Sequence, residues 1–453
     1  MSVPEIRGLS AGALVTDPQV IEGYRRDQAA IVPAGRPLGV VRAASVEDVS
    51  AALAWASGHQ VPVVPRGAGT GLSGGANAID GCLVVSTEKL TAIRVVDAAN
   101  SCAVAEAGVI NADVGRAAAK AGLFYPPDPG SFEISTIGGN LATNAGGMRC
   151  VKYGVTRDSV LGLEAVLADG TVLATGSGGA RKNVAGYDLT SLLIGSEGTL
   201  GIITSATLRL RPLPPRPPVT FAATIPELPQ AGHVVAAIGA SGVTPSLLEF
   251  IDNPTINAIE DYRRMDLDRS AAGLLIGQAD GVSADEDVAA MMKCCEEAGA
   301  VDVLRSDSAE EAESLLAARR LAAPAVMATG PTIIDDVCVP PGRLTAMLEE
   351  VQRVSRDSGL TIAVTAHAGD GNLHPALMLP SLEDDVVARA MEAGERLCRR
   401  AVELGGTITG EHGVGALKQP WVSGQLGPAA LAAHRAIKAA LDPAGILNPG
   451  RAF

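Results

Sequence analysis

Residues Pro212-Leu-Pro-Pro-Arg-Pro-Pro218 put five prolines into seven positions, and no regular element can run through them. Each proline lacks an amide hydrogen and fixes φ, so neither a helix nor a central strand continues across such a run. The chain must therefore fold as one body before the prolines and another after them. Its 453 residues are also too many for a single ordinary core.

Before the run, residues 163–167 and 171–175 read as strands flanking an Asp169-Gly170 turn, and 207–211 alternates as a strand does. Helical patterns intervene at 45–57 and 112–121, which predicts an α+β arrangement rather than a regular βαβ array. After the run, helical stretches at 308–323 and 383–404 alternate with short strands at 273–277 and 336–339, predicting helices packed on a mostly antiparallel sheet. The expected division is 1–212, 213–415, and a C-terminal segment, 416–453, that returns to the first domain.

A net charge of −14 with no polybasic run excludes a nucleic-acid partner, which would need a basic face. The seven cysteines, Cys82, Cys102, Cys150, Cys294, Cys295, Cys338 and Cys398, show no CxxC spacing. A disulfide framework and a self-contained iron–sulfur cluster are thereby disfavoured, and a reducing compartment is expected. The first seven residues lack a basic, then apolar leader pattern, and no apolar run approaches the roughly 18 residues of a membrane span. These features predict a cytoplasmic protein, with peripheral docking at a membrane left open.

Three glycine-rich stretches precede the prolines. Arg66-Gly-Ala-Gly-Thr-Gly-Leu-Ser-Gly-Gly75 has five glycines in ten residues and many approachable backbone amides, as a pyrophosphate-wrapping loop requires. Gly69 to Gly74 matches GxGxxG, but the chain then runs to a strand at 83–86 with no room for the helix that a dinucleotide fold opens there. Nicotinamide binding by that route is therefore rejected. Pro126 to Ser131 with Ser135 to Gly147, and Gly195 to Ile203, supply hydroxyls, side-chain amides and bare backbone suited to a polar ring system and a ribityl chain. Together the three imply one large, extended ligand.

The other chemically loaded segment is His367-Ala-Gly-Asp-Gly-Asn-Leu-His374. If Asp370-Gly371 forms a two-residue hairpin turn, Gly369 faces Asn372, Ala368 faces Leu373, and His367 falls directly opposite His374 on one face. Glu411 and His412, between Gly410 and Gly413, could add a third ligand and a base. They can converge only where the backbone departs from extended geometry, which the glycines permit. Two histidines and a carboxylate are the ligand set of a mononuclear metal centre, and at this level hydrolysis, oxygenation or a structural ion all fit.

Taken in order, Pro65 to Leu72, Thr136-Ile-Gly-Gly-Asn140, Gly195 to Gly201, His367 to His374 and Glu411-His412-Gly413 resemble the FAD-linked 2-hydroxyacid dehydrogenases of the vanillyl-alcohol-oxidase superfamily. That group includes glycolate oxidase flavoprotein subunits, cytochrome-type D-lactate dehydrogenases and D-2-hydroxyglutarate dehydrogenases. The resemblance covers roughly residues 35–450. It implies a two-part FAD-binding domain of the PCMH type plus a cap domain carrying the substrate site. FAD would be held by Pro65, Arg66, Gly67, Ala68, Gly69, Thr70, Gly71, Ser73 and Gly74 on the pyrophosphate. Pro127, Asp128, Ser135, Thr136, Gly138, Gly139, Asn140, Thr143, Asn144, Gly146, Glu197, Gly201, Ile202 and Asn448 complete the implied cofactor set. No histidine lies in the loop, so non-covalent FAD is expected.

By the same resemblance His367, His374 and Glu411 would bind a divalent metal, Zn first with Mn or Fe as alternatives, and His412 would be the catalytic base. Arg319 stands where the family places a carboxylate-binding arginine, the lesser alternative being that Arg319 and Arg320 form the polar face of a helix. Asn372 would add a hydrogen bond to ligand or substrate. The implied reaction oxidises a small D-2-hydroxyacid to the 2-oxoacid by hydride transfer to flavin N5. Electrons would leave to an external acceptor, whether a quinone, a cytochrome, an electron-transferring flavoprotein or an iron–sulfur partner subunit, and a homodimer is the assembly to test. Members acting on 2-hydroxyglutarate have a lysine about fifteen residues after the arginine; position 334 here is isoleucine, which favours D-lactate or glycolate. The alternatives are 2-hydroxyglutarate oxidation and a non-redox transferase resembling alkylglycerone-phosphate synthase.

Overall fold

The computed structural model describes residues 5–306 and 308–453. Residues 1–4, the start of the segment inspected above for a leader, and Asp307 lie outside them. The chain forms two compact units, the first comprising 1–146, 154–213 and 411–453, the second 147–153 and 214–410. The passage between Leu213 and Pro214 falls inside the proline run.

In the first unit, strands Gly39–Arg42, Leu83–Ser86 and Val63–Arg66 lie parallel in that order, with the short strand Leu14–Val15 antiparallel at the edge. Helix Val46–His59 connects the first of them to the third. Ser45 starts this helix by accepting from the Asp48 amide, and Gln60 ends it in the left-handed conformation. Its inward residues Val49, Ala52, Leu53 and Ala56 pack on Val41, Leu83 and Val85. A second, wholly antiparallel sheet runs Ile93–Asp97, Cys102–Glu106, Ile202–Arg209, Val160–Val166, Val172–Gly176. Val114, Ala118, Ile137 and Leu141, from two short helices, close its core.

The second unit is one antiparallel sheet in the order Val301–Arg305, Val219–Ile225, Gly273–Ala279, Leu247–Asp252, Thr361–His367, Asn372–Met378, Thr332–Ile334, with Val337–Cys338 also paired to Asn372–Met378. Helices Asn253–Tyr262 and Ala309–Ala328 bury Ile256, Ile259, Ala322 and Val326 against Ala363 and Ala376 of the sheet. The helix expected to stop at 323 continues through Pro324 to Ala328. Proline forfeits one helical hydrogen bond there, but the turn beyond it buries Ala325 and Val326 completely or nearly so.

The hairpin differs from the sequence expectation by two residues. His367 pairs with Asn372, and His374 pairs with Thr365, so the connection is Ala368 to Gly371 rather than Asp370-Gly371 alone. Gly371 and Asp370 both donate their amides to the His367 carbonyl, and Gly369 donates to Leu248 of the neighbouring strand. Because side chains alternate along a strand, a slip of two leaves both imidazoles on one face.

Asp252 caps helix Asn253–Tyr262, accepting from the Thr255 amide at 3.0 Å and its hydroxyl at 2.7 Å. Burial pushes its carboxyl up to about 6. With the folded value above the unfolded one, the protonated acid favours the fold, and that contribution is lost as pH rises through about 6. Asp252→Asn, which keeps the capping oxygen without the charge, should raise Tm by roughly 2–4 °C at pH 8. Thermal denaturation should show the gain vanishing at a pH near 4.

Candidate functional site

In the first unit, strand Val63–Arg66 opens directly into the glycine loop, and no helix forms before Leu83. The rejected dinucleotide geometry is thus absent. A Cβ on Gly67 would sit 2.4 Å from Thr136 Oγ1, so the loop lies against the start of helix Ile137–Thr143 with no side chain between. Thr136 caps that helix through the Gly139 amide. Gly138 presses on the preceding strand's exit, where a Cβ would come within 2.6 Å of the Ala107 methyl. Gly69 has φ +74°, a left-handed turn over the Arg66 guanidinium. Arg66 Nη1, Ser135 Oγ and Asn140 Nδ2 are buried with no hydrogen-bond partner among the described residues. Buried polar atoms are rarely left so, and a phosphate-bearing, ring-nitrogen-bearing cofactor satisfies both donors and the hydroxyl. The residues present therefore fit FAD.

Other nominated positions brace this cradle. Thr143 Oγ1 donates to the Gly139 carbonyl, and Asn144, at φ +53°, ends the helix while its Oδ1 takes the Arg157 amide. Glu197 is buried, and its carboxylate accepts the Val414 and Gly415 amides at 2.7 Å each. Burial raises that carboxyl, and the two amides oppose the rise. Asn448 Nδ2 donates to the carbonyls of Gly75 and Glu197, while Ser73 Oγ donates to Gly413. Pro127, Gly146, Gly201 and Ile202 are buried; Pro65, Thr70, Gly71 and Asp128 are half-buried, and Ala68 is exposed. Sequence reasoning missed Arg451, which clamps the loop by donating to the carbonyls of Gly74 and Asn77.

In the second unit the two imidazoles stand edge to face with centroids 5.0 Å apart. His367 Nδ1 lies 2.8 and 2.9 Å from the two oxygens of Glu249, which is directly opposite it in the sheet register. The same carboxylate takes Arg319 Nε at 2.7 Å. Arg319 is largely buried, unlike its neighbour Arg320, which pairs with Glu313 at the surface. His374 Nδ1 faces Asp336 Oδ1 at 3.9 Å. Asp336 Oδ2 in turn accepts Thr409 Oγ1 and the Gly410 amide, fixing the residue that precedes Glu411. Asn372 shares the histidine face, and its buried Oδ1 has no hydrogen-bond partner among the described residues.

An ionised carboxylate only accepts, so His367, in hydrogen-bond contact with Glu249, donates from Nδ1 and offers Nε2 as the lone-pair nitrogen. This donor chemistry fits a divalent metal. Glu411 and His412 open the segment with which the first unit resumes. Glu411 Oε1 and His412 Nε2 are 3.9 Å apart, and Gly413 at φ +82° and Gly415 at φ +54° carry the chain through a non-extended path.

Glu249 and Asp336 were not nominated from sequence. Their signal was present: each is an acid inside an apolar strand-like run, Leu247-Leu-Glu-Phe-Ile251 and Ile333-Ile-Asp-Asp-Val-Cys338, where an unpaired charge is costly. Among the described residues no disulfide joins the cysteines, and no helix is long and apolar enough to cross a membrane.

Residues 214–452 match the family model described as FAD linked oxidases, C-terminal domain, and residues 37–176 match an FAD binding domain. The chain is 42% identical to glycolate oxidase subunit GlcD of Bacillus subtilis, over 92% of this chain and 89% of that one. It is 37% identical to D-lactate dehydrogenase of Archaeoglobus fulgidus, over 95% of each. Its fold is similar to that of p-cresol methylhydroxylase, with a TM-score of 0.82, 18% identity and coverage of 98% and 94%.

Proposed function

The chain belongs to the FAD-linked oxidases, and from that premise we propose that it oxidises a small D-2-hydroxyacid, D-lactate or glycolate, with the help of one divalent metal. The observation that carries the reading is the pair His367 and His374, 5.0 Å apart on one sheet face and each turned by Nδ1 to a buried carboxylate. A flavin oxidation of a plain alcohol needs no such pair. A 2-hydroxyacid, which chelates through hydroxyl and carboxylate, does benefit from it.

The glycine loop from Arg66 to Gly74, Thr136 and Asn140 would hold FAD without a covalent link, since no histidine lies in that loop. His367, His374 and Glu411 would hold the metal, Zn first with Mn or Fe as alternatives. When bound, FAD supplies a hydride acceptor and the ion supplies Lewis acidity that lowers the hydroxyl pKa. His412 accepts the hydroxyl proton, as an imidazole near neutral pKa can. Arg319 and Asn372 orient the substrate, and Ile334 leaves no cation for a distal carboxylate, which favours the small monocarboxylates. The substrate thus loses one proton and one hydride, becoming the 2-oxoacid. Electrons then leave to a separate acceptor.

The test is an anaerobic panel of D- and L-lactate, glycolate, D-2-hydroxybutyrate and D-2-hydroxyglutarate against the oxidised protein, before and after chelation. D-Lactate or glycolate should bleach the visible flavin band of the metal-replete protein and leave the stripped protein yellow. Bleaching that survives complete metal removal would overturn the role given to His367, His374 and Glu411.

A further inference from the structure

We propose that Glu249 is a positioning residue that sets the orientation and tautomer of His367 for metal ligation and, through the same carboxylate, fixes Arg319 relative to it. The inference rests on His367 being a ligand. Glu249 is completely buried in the middle of the sheet, between Leu248 and Phe250 and opposite His367 across the strand pair. Both of its oxygens lie within 3 Å of one nitrogen, His367 Nδ1, and one of them also takes Arg319 Nε. The three groups come from separate elements, strands Leu247–Asp252 and Thr361–His367 and helix Ala309–Ala328.

Stability alone does not account for a carboxylate here. A buried ion pair seldom outperforms an apolar side chain of equal volume, and the neighbouring positions Leu247, Leu248, Phe250 and Ile251 show what the sheet otherwise uses. Function does account for it. Glu249 accepts from His367 Nδ1 while Arg319 Nε holds the same carboxylate, so the ring is fixed in plane with Nε2 left as the coordinating nitrogen. Arg319 spends Nε on Glu249 and retains its two terminal amino groups as the planar fork that a carboxylate recognises. One side chain thereby ties the metal ligand to the substrate-orienting cation.

The experiment is equilibrium dialysis of the FAD-replete protein against Zn(II), for wild type, Glu249→Gln, Glu249→Leu and Glu249→Asp. Flavin content serves as the check on folding. Wild type should bind one ion; the Gln and Leu variants should bind it roughly 10- to 100-fold more weakly at unchanged flavin content, and Asp should recover part of the loss. A second readout is imidazole ¹⁵N NMR of the metal-free protein, tractable with six histidines. The His367 signal, identified by its absence in His367→Asn, should report the Nδ1–H tautomer in wild type and a mixture in Glu249→Leu. Variants that keep wild-type Zn(II) affinity and an unchanged His367 tautomer would overturn the proposal alone. A wild type that binds no ion would overturn the metal reading and this proposal with it.

Discussion

Replacing His374 by alanine is expected to leave FAD bound and to lower kcat/KM for the preferred 2-hydroxyacid by about 10³-fold or more. The magnitude follows from the proposed metal site: losing one of its three ligands would lose the ion, and with it several kcal/mol of stabilisation of the developing alkoxide. His374 is the cleaner of the two histidines to remove. Its Nδ1 is 3.9 Å from Asp336, whereas His367 is held at 2.8 Å by Glu249, so His367→Ala also leaves a buried carboxylate short of a partner. The Asp336 contacts to Thr409 and Gly410 do not pass through the ring, and the segment leading to Glu411 should stay in place. Stopped-flow measurement of anaerobic flavin reduction, with metal content determined on the same sample, checks the result. A metal-free His374→Ala that reduces its flavin at the wild-type rate would exclude the ion from the chemistry.

Local chemistry made part of this legible from sequence, and two Asp-Gly turns show where it stopped. Asp169-Gly170 marked a hairpin, and the structure pairs Val166 with Val172 around it, with Gly170 at φ +88° as such a turn needs. Asp370-Gly371 carried the same signal, yet the hairpin closes two residues wider. Gly371 lies so close to the Val339 carbonyl that a Cβ would approach within 2.0 Å, and Gly369 is tied to Leu248, so neighbouring strands set the loop. The shared face of the histidines survived because a strand repeats every two residues. Glu249 marks the opposite limit. Its partners are 70 and 118 residues away, and no pattern within the apolar strand says which cation or imidazole will meet it. The cofactor motifs were visible as glycine and amide runs. That Glu197, Asn144 and Asn448 turn their side chains to backbone groups of the scaffold depends on chain crossings the sequence does not display.

Gly138→Ala should weaken the protein's hold on its flavin. The added methyl would lie 2.6 Å from the Ala107 Cβ and 3.0 Å from its carbonyl oxygen, and the Gly138 amide is already bonded to that carbonyl at 2.7 Å. Neither neighbour is the end of a flexible side chain, so the helix start must move outward, at a cost of about 1–3 kcal/mol. That start carries Thr136, Gly139 and Asn140 and abuts Gly67, so the displacement falls on the proposed FAD cradle. FAD affinity should fall roughly 10- to 100-fold, read by flavin fluorescence on titrating the apoprotein. Gly67→Ala should do less, because the clash at 2.4 Å is with Thr136 Oγ1, which can rotate away at the cost of a helix cap, about 1 kcal/mol. Gly115→Ala is the matched control: it sits in helix Asn111–Ala119 of the same unit, where a Cβ meets nothing within 4 Å. It should bind FAD as wild type does and gain up to about 1 kcal/mol in helix propensity. Full wild-type affinity in Gly138→Ala would place the cofactor elsewhere than between these two glycine segments.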